Sequence, residues 1–155
     1  MLLNLTEELH LEAPPEEVWK LLRDTERLAR LLPGVETVKA LEESGVEAYA
    51  ATVHDKIGPF KVTLNLEIRV AEAVEPARLT ASLKGADSHS LNRMSGTIQV
   101  ALSRADPGTE MRFEASVEIL GKLATLGAAP MRRRTTQLFA EFARNIQGQF
   151  ARESS

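Results

Sequence analysis

Few side chains in this sequence combine a type and a position that could do chemistry, and Asp55 is the first of them. It shares odd numbering with Tyr49, Ala51 and Val53 in an alternating stretch, so it points to the same face as those residues, just ahead of Gly58-Pro59. A carboxylate on an apolar face can orient the polar end of a ligand, or act as a base once burial raises its proton affinity. Tyr49, the chain's single tyrosine, adds a hydroxyl to that face. Arg132, Arg133 and Arg134 form the third feature. Three consecutive helical positions span most of the circumference, so one of them, with Arg134 as the candidate, stands beside the apolar stripe within reach of Asp55 or of a ligand. The remainder suit solvent, an acidic partner or peripheral contact with a membrane surface.

The other combinations point away from catalysis. His10, His54 and His89 are far apart in sequence and lack metal-ligand spacing, so each reads as a surface residue. Ser88-His89-Ser90 sets hydroxyls beside an imidazole, but neighbours on an extended chain face opposite ways and no acid is placed to orient the ring. The absence of cysteine removes disulfides, thiolate metal sites and a cysteine nucleophile. No phosphate-binding glycine motif is present. No metal and no cofactor is therefore expected.

The 155 residues, 43% of them hydrophobic and 26% charged with a net charge of -3, suit one soluble domain spanning 1–155 with a core of its own. That charge, with only 5% aromatic residues, leaves nucleic acid without a basic stripe or a stacking platform. Glu7, Glu8 and Glu12 interrupt the leucines of the N-terminus where a signal peptide needs basic residues and an unbroken apolar run. No run is long enough to span a membrane, so a cytoplasmic location is expected.

The elements that must position these residues follow from the apolar periodicity. Leu3, Leu5, Leu9 and Leu11 alternate as a first strand, which Ala13-Pro14-Pro15-Glu16-Glu17 ends while opening a helix. Val18, Trp19, Leu21 and Leu22 form the apolar face of that helix. Asp24 or Thr25 caps a second short helix that stops at Pro33-Gly34. From Val35 the period becomes two, which predicts strands over Val35–Glu42, Val46–Lys56, Phe60–Val74, Ala77–Lys84, Met94–Ser103 and Glu110–Leu120. Ser44-Gly45, Gly58-Pro59, Glu75-Pro76 and Asp106-Pro107-Gly108 supply turns. Gly121 to about Phe150 carries Leu123, Gly127, Met131, Leu138, Phe142, Ile146 and Phe150 at spacings of three and four, a long amphipathic helix. Pro130 predicts either a kink or a restart, with a separate short helix before it and the proline in the first turn of the main one.

A curved antiparallel sheet gripping that helix, an α+β arrangement, can enclose a cavity. The residues expected to line it are Tyr49, Val53, Val62, Leu64, Leu66, Leu79, Leu83, Met94, Ile98 and Phe113 from the sheet, with Met131, Leu138 and Phe142 from the helix. Asp55 and Arg134 are the candidate polar contacts. So apolar a set favours a hydrocarbon or fused-ring ligand, such as a lipid, an isoprenoid or a quinone-like molecule, over a sugar or nucleotide. Access should require movement at the Gly85–Met94 connection and the Gly127–Pro130 joint. Without a paired acid and base the reading is a binding module. Two alternatives stay open: a polyketide-cyclase-like enzyme using Asp55 or Tyr49, and an adaptor with a filled core.

The order of elements, together with Ala13-Pro14-Pro15-Glu16-Glu17-Val18-Trp19-Lys20-Leu21-Leu22-Arg23-Asp24, resembles the helix-grip superfamily of birch-pollen-allergen and START type, also called SRPBCC. Leu28-Ala29, Leu32-Pro33-Gly34-Val35-Glu36, Tyr49-Ala50-Ala51-Thr52-Val53, Ile57-Gly58-Pro59-Phe60-Lys61-Val62 and Gly121-Lys122-Leu123-Ala124-Thr125-Leu126-Gly127 resemble more narrowly its carbon monoxide dehydrogenase CoxG branch. The resemblance implies a seven-stranded antiparallel sheet around a C-terminal helix, with two short helices between the first two strands and a hydrophobic cavity. For the CoxG branch it also implies service to a molybdenum-containing CO dehydrogenase-type oxidoreductase, including recruitment to the membrane. Gly85 to Met94 departs from the family's glycine-rich connection, and the chain ends at Ser155 without the C-terminal extension of some members.

Overall fold

The alternation from Val35 onward resolves into six strands that pair with the N-terminal strand in one antiparallel sheet. The structure, a computed structural model of the chain, describes residues 1–43, 45–88 and 91–151. The elements run β1 (Leu2–Leu11), α1 (Pro15–Arg23), α2 (Thr25–Arg30), β2 (Val35–Glu43), β3 (Val46–Ile57), β4 (Phe60–Val74), β5 (Arg78–Ala86), β6 (Asn92–Arg104) and β7 (Thr109–Gly121). A short 3₁₀ segment (Lys122–Leu126) and α3 (Ala128–Gln149) complete them. The strand order is β1-β7-β6-β5-β4-β3-β2, so the N-terminal strand closes one edge against the last strand of the meander. This is the helix-grip architecture. Of the turns read from sequence, Ser44 lies outside the described residues, as do His89 and Ser90 of the Ser88-His89-Ser90 stretch.

Register shifts between Val35 and Thr37 in β2 and between Val70 and Glu72 in β4 bend those strands, as an extra unpaired residue does, and help the sheet curl. The concave face carries the odd-numbered residues of β3, β5 and β7 and the even-numbered ones of β4 and β6. Facing pairs such as Ala51↔Leu66, Val53↔Leu64 and Asp55↔Val62 follow directly from that register.

α1 closes one end of the grip. Pro15 sits at its start, where a missing amide hydrogen is no loss, and Glu16 and Glu17 lie at the positive end of its dipole. Val18, Trp19, Leu21 and Leu22 are all buried. They pack with Leu9, Leu11, Leu79, Val100, Leu102, Met111, Phe113 and Ile146 in one core cluster, joined by the partly buried Phe139 and Phe142. Phe113, Phe139 and Phe142 meet edge to face with centroids 5.3, 5.8 and 6.4 Å apart, a geometry that adds to the gain from burial. This half of the interior is filled.

The C-terminal helix starts later than its apolar spacing suggested. Gly121 and Gly127 both have positive φ, 106° and 84°, so the right-handed helix cannot run through either. The segment between them is 3₁₀, and α3 begins at Ala128 with Pro130 in its first turn. The restart is the outcome, with no kink in α3 required. Gly121 is further constrained because a Cβ there would lie 1.9 Å from the carbonyl oxygen of Leu91.

One buried polar bond ties the corner where β1 hands over to α1. The Thr109 side chain is fully buried, and its hydroxyl donates to the Ala13 carbonyl at 2.6 Å. Thr109→Val keeps the shape and removes the donor. It should lower stability by about 1–3 kcal/mol, read in urea as a lower midpoint with an unchanged slope. An unchanged midpoint would show that this bond contributes nothing.

Candidate ligand cavity

The second half of the interior is not filled. A cavity of about 230 Å³ lies between the concave face and the N-terminal half of α3. Leu3, Val53, Ile57, Val62, Leu64, Leu66, Leu83, Met94, Val117 and Ile119 of the sheet face it. Met131, Thr135 and Leu138 of α3 cover it, while Leu123 of the 3₁₀ segment and Leu32-Pro33 after α2 form its ends. The wall is almost wholly apolar, and its polar members are Asp55, Asn92, Arg93 and Thr135. Leu64 and Leu66 are only half-buried although they lie mid-strand in the sheet interior, because part of their surface faces this space. Gly85 helps shape the floor. A Cβ there would sit 2.3 Å from the Leu66 side chain and 3.2 Å from that of Met94, so both lean across the place it leaves free.

Of the residues expected to contact a ligand, Val53, Val62, Leu64, Leu66, Leu83, Met94, Met131 and Leu138 come together around the cavity. Leu79, Ile98, Phe113 and Phe142 do not. They share the correct face but belong to the filled half, where α1 and the three phenylalanines take up the room. Tyr49 is also absent from the lining. It stands at the other end of β3, where its hydroxyl donates to Glu47 Oε2 at 3.1 Å. Arg23 holds the same carboxylate by two bonds of 2.6 and 3.2 Å. Burial is the main cause of the raised Tyr49 pKa, with Thr25 lowering it and Glu47 raising it. This tyrosine belongs to the junction of β3 with α1 and α2.

Asp55 does face the cavity, with 12% of its side chain exposed. Arg134 grips it from α3: Nη2 donates to Oδ1 at 2.5 Å and Nε to Oδ2 at 3.1 Å, a two-point pairing that fixes the planes of both groups. The hydrogen bond to Asp55 is the largest cause of the raised Arg134 pKa. Arg132 and Arg133 are exposed. The helical period turns one arginine of the run toward the sheet and the other two to solvent.

Asn92 had no signal in the sequence. It is 5% exposed and lines the cavity. Its Oδ1 accepts from the Leu123 amide at 2.8 Å and its Nδ2 donates to Asp87 Oδ2 at 3.0 Å. Asp87 Oδ1 in turn accepts from the Leu91 amide at 2.7 Å. These bonds fasten the start of β6 to the 3₁₀ segment that ends the cavity. Leu3, Ile57, Val117, Ile119 and Leu123 were legible as apolar positions of the right parity, but their place at one end of the fold was not.

His10 pairs with Glu110 at 2.7 Å, and His54 pairs with Glu36 and with Thr63, all outside the cavity. Among the described residues no group of histidine and acidic side chains is placed to hold a metal ion. No helix among them is long and apolar enough to cross a membrane.

The fold is shared widely. A conserved protein from Geobacillus kaustophilus superposes with a TM-score of 0.84 at 22% identity, over 96% of this chain and 95% of that one. Ara h 8.0201 gives 0.67 at 17% identity over 97% and 98% of the two chains. The ZhuI aromatase/cyclase from Streptomyces sp. R1128 gives 0.62 at 17% identity over 96% and 93%. Identities this low speak for the common fold alone. No curated protein matches the chain in sequence. Residues 8–151 match the carbon monoxide dehydrogenase family CoxG. With a match over nearly its whole length, and with the helix-grip fold on which the cavity is built, this chain belongs to the CoxG family.

Proposed function

We propose that the protein binds a small apolar molecule in the cavity between the sheet and the N-terminal half of α3. The observation that carries this reading is an empty volume of about 230 Å³ walled by leucine, valine, isoleucine and methionine inside an otherwise packed fold. The volume is below the range of about 300–1,000 Å³ usual for drug-sized ligands. A small ring system fits as the cavity stands, and a longer lipid, isoprenoid or quinone-like molecule needs the walls to part. The 3₁₀ segment between Gly121 and Gly127 is the part best suited to give way, since it is short and held at its ends by conformations that glycine tolerates.

The two competing readings have less support. A cyclase-like reaction needs a group that takes and returns a proton. Asp55 is locked to a guanidinium, which does not give up its proton, and Tyr49 stands outside the cavity. A pure adaptor needs no cavity, and this fold has one. Family membership supports a place for the carrier as an accessory to a CO dehydrogenase-type, molybdenum-containing oxidoreductase. The exposed Arg132 and Arg133 are suited to an acidic partner surface or to peripheral membrane contact.

Leu64→Trp tests the carrier reading by filling the space. A fluorescent apolar probe should bind the wild-type chain and lose at least about tenfold in affinity in the variant, with the circular dichroism spectrum unchanged. Equal affinity in both would place the probe elsewhere and end this reading. The cavity itself can be tested by truncation. Ile146→Ala, in the filled half, should cost about 2–5 kcal/mol, and Leu138→Ala distinctly less because Leu138 borders empty space. Chemical denaturation of the two variants would show the difference, and equal losses would mean that the space is closed in solution.

A further inference from the structure

The polar end of the cavity is built so that a ligand meets acceptors. Asp55 lines the space and Arg134 does not, because the guanidinium approaches the carboxylate from α3, outside the cavity lining. An ionised carboxylate offers about four acceptor positions on its two oxygens, and Arg134 takes one on each. The remaining positions are open to a donor. The other polar groups of the wall are engaged or displaced. Thr135 donates to the Met131 carbonyl at 2.8 Å, Asn92 is tied to Leu123 and Asp87, and Arg93 is an exposed residue at the margin.

From this arrangement we propose that the Asp55–Arg134 pair is a specificity determinant, selecting apolar ligands that end in a neutral hydroxyl and rejecting those that end in a carboxylate. The inference rests on the carrier reading above and names the class of ligand for that same site. A phenolic or alcoholic O–H can donate to Asp55 without disturbing its bonds to Arg134. A carboxylate of the same shape would bring a second anion against Asp55 in an apolar enclosure, where screening is weak, with the guanidinium on the far side. It could be accommodated only by drawing Arg134 off Asp55. A ligand with no donor keeps its apolar contacts and gains nothing from the carboxylate.

Three probes sharing one ring separate these cases at neutral pH: naphthol, methoxynaphthalene and naphthoate, titrated into the full chain by calorimetry. Naphthol should bind most tightly, methoxynaphthalene less so, and naphthoate at least about tenfold more weakly than naphthol. In Asp55→Asn the anion no longer faces an anion and Arg134 is released, so the gap between naphthol and naphthoate should close or reverse. Arg134→Gln, at a side chain that is 34% exposed, keeps the test open if Asp55→Asn does not fold. It leaves the carboxylate without its cation, and naphthoate should weaken further. If methoxynaphthalene binds as well as naphthol, or naphthoate as well as either, the carrier reading stands and the selectivity is overturned. The selectivity also falls if Arg134→Gln strengthens naphthoate. If none of the three binds, the carrier reading fails and takes the selectivity with it.

Discussion

The constraint on which the structure depends is a mismatch of widths. Seven strands about 4.8 Å apart span roughly 30 Å, whereas a helix with its side chains is about 10–12 Å across. One helix cannot cover the apolar face of so broad a sheet. The sheet responds by curling, helped by irregularities in β2 and β4, and the chain responds by placing α1 across one end. Trp19 and Leu22 from α1, with Phe139, Phe142 and Ile146 from α3, close that end. At the other end the sheet faces only the first turns of α3 and a short 3₁₀ segment, and those do not reach across. The cavity is the part of the mismatch that remains.

An apolar space is expensive to keep, because the side chains around it forgo contacts they would otherwise make. Here it is held open by polar bonds at its margins. Asn92 anchors the 3₁₀ segment to β6, and Arg134 anchors α3 to β3 through Asp55. Thr109 fixes the turn into α1 at the filled end. Each of these bonds joins residues distant in sequence, and each sits where an element would otherwise be free to sink toward the space. Collapse of the cavity would break bonds that are wholly or partly shielded from water, and breaking such bonds is costly.

The same geometry accounts for the kind of chemistry the site supports. Nearly every group in the wall is hydrocarbon, so recognition is by shape and burial, with polarity confined to one point. At that point the acid is already paired with a base that keeps its proton, and a pair of that kind orients and selects. The neighbours in fold include an allergen-type protein and an aromatase/cyclase, and such a range is what a scaffold with an interchangeable cavity wall permits.

The alternation of Phe60, Val62, Leu64, Leu66, Ile68 and Val70, the Pro-Pro-Glu-Glu start of α1 and the helical spacing from Met131 to Phe150 were enough to determine the element order and the face each element buries. Asp55 was legible as inward-facing for the same reason, since parity on a strand is a local property. Three things were decided only in three dimensions. Parity does not say how far along the grip a residue lies, so Leu79, Ile98, Phe113 and Phe142 share a face with Leu64 and still fill the other half. The apolar spacing through Leu123 ran on into α3, but the backbone at Gly121 and Gly127 broke the helix, because a side-chain pattern carries no record of φ. Asn92 had no pattern at all. A lone polar residue acquires its role only when the fold brings the Leu123 amide and Asp87 to it, and a contact across thirty-one positions of chain is a product of the closed sheet.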